Sequence, residues 1–336
     1  MSEKRVLLSL EGVKKYFPIK KKAILMSSVE YVKAVDGITL NIFEGETLGL
    51  VGESGCGKST LGRALIQLIK PTEGTIVYNG LDVGPVTLTD LSTREMRPLR
   101  SELQIIFQDP YSSLNPRLTV GQIIGEGLLS HGVFRSSKDA GYTERVLSVM
   151  DQCGLAPYFI HRYPHQFSGG QRQRIGIARA LALNPKFIVC DEAVSALDVS
   201  IQSQIINLLL DLKDSKQLTY LFITHDLSVV KFISDRIGVM YLGSLVELAT
   251  ASSIFDRPFH PYTAALLEAI PRTDVESNRQ ITLLDGDIPS PINPPPGCKF
   301  NTRCKYATER CRTVVPIWRE LEDQHFVACH YPLNQD

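Results

Sequence analysis

Short apolar stretches alternate with segments of helical periodicity along the first 250 residues of the chain. An apolar stretch bounded by turn-forming residues is typical of a buried strand. We therefore predict strands over residues 5–10, 37–42, 47–51, 75–79, 103–107, 186–190 and 220–224, and a hairpin over 236–249 that turns at Gly243-Ser244. Strands separated by helices indicate an α/β fold, in which helices cover a sheet.

Two segments depart from this alternation. Residues 115–165 contain several helical periods and no clear strand, which predicts a helical subdomain. Residues 18–33 look like an insertion between two early strands. The lysine run within that insertion, Lys20 to Lys22, is most simply a solvated loop, with a lipid or partner contact as the alternative.

The composition changes near the end of the chain. Residues 286–297 contain five prolines, and proline can neither continue a helix nor donate a hydrogen bond to a sheet. This segment is predicted to be an extended linker. Four cysteines follow within residues 298–336, which we predict to form a compact separate unit, here called the tail.

Length and charge limit the classes of protein to consider. The chain has 336 residues, of which 43% are hydrophobic, enough for one large core and a small appendage. Lys plus Arg and Asp plus Glu both number 36, so no overall charge attracts nucleic acid or an anionic membrane. No stretch suits a signal peptide or approaches the ~20 apolar residues of a membrane-spanning helix. We expect a cytosolic protein, whose seven cysteines are thiols or metal ligands rather than disulfides.

A glycine-rich loop follows the predicted strand at 47–51 and precedes a helical segment. The loop fits the pattern G-x-x-x-x-G-K-[ST] with residues Gly52, Glu53, Ser54, Gly55, Cys56, Gly57, Lys58 and Ser59. Its glycines let backbone N–H groups turn toward phosphate oxygens, and the helix N-terminus favours negative charge. Lys58 is expected to reach the β- and γ-phosphates, Ser59 to ligate Mg²⁺ and Thr60 to contact the α-phosphate. The alternative, a chance glycine-rich turn, is disfavoured by this strand–loop–helix context, in which Cys56 is a small loop residue rather than a nucleophile.

An acidic pair ends the predicted strand at 186–190. A buried strand would deliver Asp191 to the Mg²⁺ shell, while Glu192 would lie near the attacking water. An exposed acidic strand end is the alternative, and it is disfavoured by the presence of the phosphate loop.

Ser168, Gly169, Gly170 and Gln171 lie between these two motifs. Ser168 is a good N-cap for the helical segment that follows, so the positive end of that helix would point at an anion. The order and spacing of the three motifs resemble the ATP-binding-cassette (ABC) ATPases. The resemblance implies that this anion is the γ-phosphate of ATP bound to a second subunit.

The resemblance covers residues 1–250 and implies an ATPase domain over 1–258, a P-loop ATPase with a RecA-like core, an antiparallel β subdomain and a helical subdomain. It assigns Glu192, His225 and Gln108 to catalysis, with Gln108 also contacting Mg²⁺ and sensing a transmembrane partner. Asp198 matches a loop that crosses the dimer interface, and Phe17, with Tyr16 next to it, matches the aromatic residue that stacks on adenine. Phe167 and Ala193 depart from the usual leucine and proline, but neither position supplies a catalytic side chain.

Three further segments resemble the oligopeptide/dipeptide importer branch of the family. These are residues 107–120, residues 260–263 with the helical segment after them, and the tail. The greatest similarity is to the second ATPase subunit of a dipeptide permease, although nickel, glutathione and murein-peptide importers share these features. The resemblance implies a second ATPase subunit in a heterodimer, two permease subunits and, indirectly, a solute-binding protein. It places the chain at the cytoplasmic face of the inner membrane, with no nucleic-acid partner.

The tail cysteines Cys298, Cys304, Cys311 and Cys329 follow a helix and linker predicted over 259–297. Four thiolates suit Zn²⁺ or an iron–sulfur cluster, and the spacing by itself leaves zinc, a cluster and buried thiols open. Similar tails in the peptide-importer branch hold a [4Fe–4S] cluster, so the resemblance implies one here. His325 and His330 near the last cysteine would suit zinc, whereas Cys153 and Cys190 are predicted to be core residues. The tail follows every ATP motif, which predicts a structural unit that leaves ATP binding unaffected.

Two other functions are disfavoured relative to a transport ATPase. A soluble ABC ATPase that acts on DNA or ribosomes usually has two cassettes or a long insertion before Ser168, and the segment between Ser59 and Ser168 is too short for one. A redox sensor with a degenerate ATPase is disfavoured because Glu192 and His225 are both present.

Overall fold

The computed structural model describes residues 4–22, 27–80, 84–270 and 286–334. Its strands are β1 (Val6–Lys22), β2 (Ser27–Phe43), β3 (Thr47–Val51), β4 (Glu73–Tyr78), β5 (Val86–Thr87), β6 (Leu103–Ile106), β7 (Phe187–Asp191), β8 (Thr219–Ile223), β9 (Arg236–Tyr241), β10 (Ser244–Thr250), β11 (Arg319–Glu322) and β12 (His325–Val327). Its helices are α1 (Lys58–Leu65), α2 (Met96–Leu99), α3 (Val120–Ser130), α4 (Ala140–Gln152), α5 (Gly169–Leu181), α6 (Val199–Lys216), α7 (Leu227–Ile233), α8 (Ala251–Asp256), α9 (Pro261–Glu268) and α10 (Glu309–Thr313).

Strands β3, β7 and β8 are buried at every residue. A strand covered on both faces has no polar alternation, which is why the sequence shows these strands as uninterrupted apolar runs. The prediction of strand 47–51 is confirmed, and those of 103–107, 186–190 and 220–224 are confirmed to within one residue at each end.

The chain forms two compact units. The first contains residues 1–8, 41–47 and 77–223. Its parallel strands lie in the order β8-β7-β6, with Val189 paired to both Ile105 and Leu221. Helix α3 packs against α4 and α5, and both α3 and α4 lie in the segment predicted to be helical.

The second unit contains residues 9–40, 48–76 and 224–336. One of its sheets has the strand order β11-β12-β10-β9-β3, in which only β3 and β9 pair in parallel. The predicted hairpin turns at Leu242 and Gly243, one residue before the predicted position. Both residues have positive φ, 42° and 80°, as the tight turns favoured between twisted strands require.

The predicted insertion over 18–33 is wrong. Strand β1 continues to Lys22 and β2 begins at Ser27, so most of this segment is strand. The two strands are neighbours in one sheet, so backbone pairing between them continues past the predicted strand limits. The link at 23–26 and the side chains of Lys20–Lys22 lie outside the described residues, so the alternatives for the lysine run are not tested.

The tail is also not a separate unit. Its strand β12 pairs with β10 through Val327 opposite Glu247 and Phe326 opposite Leu248. Val327 is fully buried, and the tail therefore extends the sheet of the second unit. The sequence does not reveal this pairing because a strand of three residues carries almost no periodic signal.

Two further predictions concern packing and the membrane. Cys153 and Cys190 are fully buried, which confirms them as core residues. Among the described residues, none of the helices has the length and apolar character that crossing a bilayer requires.

Candidate functional site

The loop between β3 and α1 has the backbone conformation that a phosphate cradle needs. Gly52 and Gly57 have φ of 148° and 107°, which side-chain-bearing residues rarely adopt. A Cβ atom at Gly52 would collide with the carbonyl oxygen of Met240, and one at Gly57 with that of Ala34. Glycine is therefore required at both positions, because the φ angle disfavours any other residue and because a Cβ atom would collide with a carbonyl oxygen.

Lys58, the first residue of α1, is enclosed by this loop. Its Nζ donates hydrogen bonds to the carbonyl oxygens of Gly52, at 2.7 Å, and Glu53, at 3.0 Å. The side chain thus lies along the inside of the loop, where a phosphate would be held. Burial raises the pKa of the neighbouring Cys56 thiol, so that thiol stays protonated and is a poor nucleophile.

Tyr16 and Phe17 occupy opposite faces of β1, because successive side chains of a strand alternate. The Tyr16 hydroxyl donates to the carboxylate of Asp36. The Asp36 N–H donates to the Gly243 carbonyl at 2.8 Å, and the Gly243 N–H donates to the Cys56 carbonyl at 2.9 Å. Tyr16, rather than Phe17, is connected to the phosphate loop by these bonds.

His225 lies just beyond the end of β8, in the second unit. The preceding Thr224 N–H donates to the Leu50 carbonyl at 3.2 Å, beside the strand that leads into the phosphate loop. Asp226 caps α7 by accepting a hydrogen bond from the Ser228 N–H at 2.8 Å. His225 is therefore held between a strand end and a helix cap.

Glu192 and Gln108 form a polar pair in the first unit. Both follow parallel strands, β7 and β6, whose carboxyl ends meet at one edge of the sheet. The Gln108 Nε2 donates to the Glu192 Oε2 at 2.8 Å, and Glu192 has a positive φ of 49°. Such a backbone is unusual for a residue with a side chain, and it turns Glu192 away from the strand direction. Asp191, one residue earlier, is buried at the end of β7.

Ser168 caps α5, as the sequence predicts. The Gln171 N–H donates to the Ser168 Oγ at 3.4 Å, and the Ser168 N–H donates to the Gln171 side chain at 3.2 Å. Ser168 is exposed, so the positive end of α5 faces solvent. A Cβ atom at Gly170 would collide with Ile201 of α6, which packs closely against α5. Asp198, the N-cap residue of α6, is also exposed.

The four tail cysteines line one small cavity in the second unit, although 17 residues separate Cys311 from Cys329 in sequence. None of them forms a disulfide. Burial raises the pKa of Cys298 to about 11 and that of Cys329 to about 12. A cation bound at this cavity would have to displace protons from these thiols.

The nearby histidines do not complete a site for a single ion. His325 is buried, and its Nε2 lies 2.7 Å from the Glu247 carboxylate, with its ring stacked on Phe259. His330 lines the cysteine cavity, but its Nε2 lies 2.8 Å from the Val314 carbonyl. Among the described residues, no three His, Cys, Asp or Glu side chains converge as ligands of one ion would.

Two cations of the tail contact the region of the phosphate loop. Arg303, next to Cys304, donates two hydrogen bonds to the Glu53 carboxylate, at 2.7 and 3.0 Å. Lys299, next to Cys298, lies 2.8 Å from the Asp36 carboxylate. The fold therefore brings residues 250 positions apart into contact, and the independence of ATP binding from the tail stays a prediction. The sequence shows these cations only as neighbours of cysteines, and nothing in it identifies their partners.

Two family profiles match the chain. The family described as "ABC transporter" matches residues 35–195, and the family described as "Oligopeptide/dipeptide transporter, C-terminal region" matches residues 246–311. The second match includes Cys298, Cys304 and Cys311.

Curated proteins are similar to the chain over nearly its whole length. The oligopeptide transport ATP-binding protein AppF of Bacillus subtilis is 50% identical, over 98% of each chain. The oligopeptide transport ATP-binding protein OppF of Salmonella typhimurium is 51% identical, over 98% of this chain and 97% of that protein.

A solved structure has a similar fold. The ATP-binding cassette MJ0796, in a dimeric post-hydrolysis state bound to ADP and phosphate, matches with a TM-score of 0.61 and 30% sequence identity. The match covers 73% of this chain and 99% of that one.

Proposed function

The chain belongs to the ABC transporter family of ATP-binding proteins, and from this premise we propose that it is the ATP-hydrolysing subunit of a peptide importer. It powers uptake of di- or oligopeptides through separate permease subunits, as the names of its relatives suggest. Its partners are a second ATPase subunit, which we infer to be a different chain, two permeases and, indirectly, a solute-binding protein. It would work at the cytoplasmic face of the membrane, bound to the permeases.

The observation that carries the hydrolytic part of this proposal is the Gln108–Glu192 pair. A carboxylate held by an amide at the end of a buried parallel strand has a defined orientation. Such a group can orient a water molecule for attack on a phosphate and accept its proton. His225 would contact the γ-phosphate as that attack proceeds.

Nucleotide binding is assigned to separate parts of the chain. The phosphate loop, Gly52 to Ser59, would hold the phosphates through backbone N–H groups and Lys58, with Thr60 on the α-phosphate. Phe17, with Tyr16 next to it, would stack on the base. Ser59, Asp191 and Gln108 would ligate Mg²⁺, which neutralises charge on the β- and γ-phosphate oxygens.

The experiment that tests the proposal measures ATP hydrolysis in membranes that contain the permeases. Hydrolysis is expected to rise when a peptide-loaded binding protein is added, and this rise should vanish in the Glu192→Gln variant. Stimulation by nickel, glutathione or murein peptides instead would identify the alternative importers. Hydrolysis that responds to none of these solutes would contradict a role in import.

Ser168 is proposed to act on ATP bound to the partner subunit, together with Gly169, Gly170, Gln171 and Asp198. Ser168→Ala is expected to leave the ATP affinity of the isolated chain nearly unchanged, while ATP-dependent pairing and turnover are suppressed. Equilibrium titration and light scattering measure the two effects.

The chain offers a matched control for this variant. Thr119 caps α3 with Gln122 in the same arrangement as Ser168 caps α5 with Gln171. Either substitution to alanine should lower stability by about 1 kcal/mol through the lost cap. Only Ser168→Ala should impair pairing. Equal impairment by Thr119→Ala would mean that helix stability, and not the partner's phosphate, explains the result.

We also propose that Cys298, Cys304, Cys311 and Cys329 hold a [4Fe–4S] cluster. Four thiols that line one cavity fit a cluster, with zinc as the alternative. When bound, the cluster would cross-link the tail in a reducing compartment where disulfides do not persist.

Anaerobically purified protein is therefore expected to be brown and to contain about four irons per chain. Serine at any one of the four cysteines should lower the iron content and make the tail more sensitive to proteolysis. Cys153→Ser, at a core thiol, is the control that should keep its iron. One zinc and no iron would refute the cluster, and absence of metal would leave the cysteines as packed thiols.

A further inference from the structure

We propose that Arg303 is a positioning residue of the nucleotide site, which neutralises Glu53 so that the phosphate loop can accept a polyanion. This inference rests on the proposed nucleotide site and adds to it a residue outside every ATP motif. It concerns residues of this chain alone and holds whether or not the four thiols carry a cluster.

Glu53 poses an electrostatic problem for the phosphate loop. It is the second residue of the loop, and its own carbonyl accepts a hydrogen bond from the Lys58 Nζ. A free carboxylate at this position would repel the phosphates of ATP and compete with them for Lys58. The side chain must therefore be paired with a cation for the loop to bind nucleotide well.

Arg303 supplies that cation, and its two hydrogen bonds fix the orientation of the Glu53 carboxylate. Both terminal nitrogens donate to the two carboxylate oxygens, and the Arg303 side chain is only 5% exposed. Bidentate pairs of this kind are stronger and more directional than single contacts. The Glu53 carboxylate is thereby held by Arg303. The backbone N–H of Glu53 donates a hydrogen bond to the Tyr262 hydroxyl at 3.0 Å.

The ring of Tyr241 supports the guanidinium. Its centroid lies 5.9 Å from the Arg303 Cζ, and its hydroxyl accepts a weak hydrogen bond at 3.5 Å. Tyr241 packs against Tyr262 and Phe300, so the tail, β9 and α9 form one aromatic cluster beneath the loop. The Arg303 guanidinium is thus held by the Glu53 carboxylate and by Tyr241.

A second tail cation makes an equivalent contact at the base site. The Lys299 ammonium donates to Asp36, to the Leu242 carbonyl and to the Ser244 hydroxyl, at 2.7 to 2.8 Å. Asp36 is the carboxylate that accepts from Tyr16. The carboxylates of Glu53 and Asp36 are therefore each paired with a cation of the tail.

A salt bridge that only stabilises the fold would show the same contacts. The test must therefore measure how nucleotide affinity depends on the charge of the nucleotide and on salt. ATP and ADP affinities are measured by titration for wild type, Arg303→Ala, Glu53→Gln and the double variant. Arg303→Ala should weaken ATP binding about tenfold at low ionic strength, less for ADP and less at high salt. In the double variant the repelling charge is gone, so ATP affinity should return to within about threefold of wild type.

Glu53→Gln by itself is informative even if Arg303→Ala does not fold. The Arg303 charge is then uncompensated beside the phosphates, and ATP affinity should rise a few-fold at low salt. Lys305→Ala is the matched control, because Lys305 is a tail cation beside Cys304 that lies 5.3 Å from the Tyr306 ring centroid. It should bind ATP as wild type does.

Several outcomes would overturn the inference. These are wild-type affinity in Arg303→Ala, a double variant no better than Arg303→Ala, equal losses for ATP and ADP, or weaker binding in Glu53→Gln. Failure of the wild-type chain to bind ATP would instead refute the proposed function, so the two failures are distinguishable.

Discussion

Glu192→Gln is expected to lower ATP turnover by about a hundredfold or more while ATP affinity stays close to that of wild type. An amide cannot accept the proton of the attacking water, so the chemical step is lost. The contact with Gln108 survives, because the amide oxygen still accepts the hydrogen bond at the Glu192 Oε2 position. The ground-state complex therefore forms, and the ATP-bound pair of ATPase subunits should accumulate.

Two measurements separate this expectation from a general loss of structure. Equilibrium titration gives ATP affinity, and single-turnover hydrolysis gives the rate of the chemical step. Glu144→Gln, at an exposed position of α4 in the same unit, is the control and should hydrolyse ATP normally. Turnover near the wild-type rate in Glu192→Gln would assign the water to another group, of which His225 is the next candidate.

Lys58→Ala is expected to weaken ATP binding itself, by at least about tenfold. The ammonium is a point charge for the β- and γ-phosphates, and it also holds the Gly52 and Glu53 carbonyls. Its removal takes away charge and loosens the loop, so both ATP and ADP should bind more weakly. Arg303→Ala differs from this variant, because it is expected to weaken the binding of ATP more than that of ADP.

The control for this variant is Lys70→Ala, at an exposed lysine shortly after α1. It should bind ATP as wild type does, and thermal unfolding should show that both variants are folded. Unchanged affinity in Lys58→Ala would mean that this loop is not the phosphate site.

Features with a local physical cause could be predicted from the sequence. Buried strands such as β3 and β7 appear as apolar runs because both of their faces are covered. Ser168 is recognisable as an N-cap because the capping bond closes within three residues. The phosphate loop is recognisable because its glycines satisfy a local backbone requirement.

Other features depend on contacts between distant residues, which the local sequence pattern does not predict. The strands β1 and β2 extend beyond the predicted limits because each pairs with a neighbour in the sheet, whatever the charge of its residues. The hydrogen bond from the Tyr16 hydroxyl to Asp36 depends on which face of β1 meets Asp36. Neighbouring aromatic residues look equivalent in the sequence, and only the packed strand distinguishes them.

The sequence by itself determined the family, the order of the motifs and the set of four tail cysteines, because each is recognised from residue types at fixed spacings along the chain. Only the tertiary structure decided where the tail lies and what its cations contact. The Arg303–Glu53 pair joins residues 250 positions apart, and β12 reaches β10 across about 80 residues. Such contacts form because the aromatic cluster and the extended sheet bury apolar area only when the whole unit closes. Their partners are therefore a property of the fold.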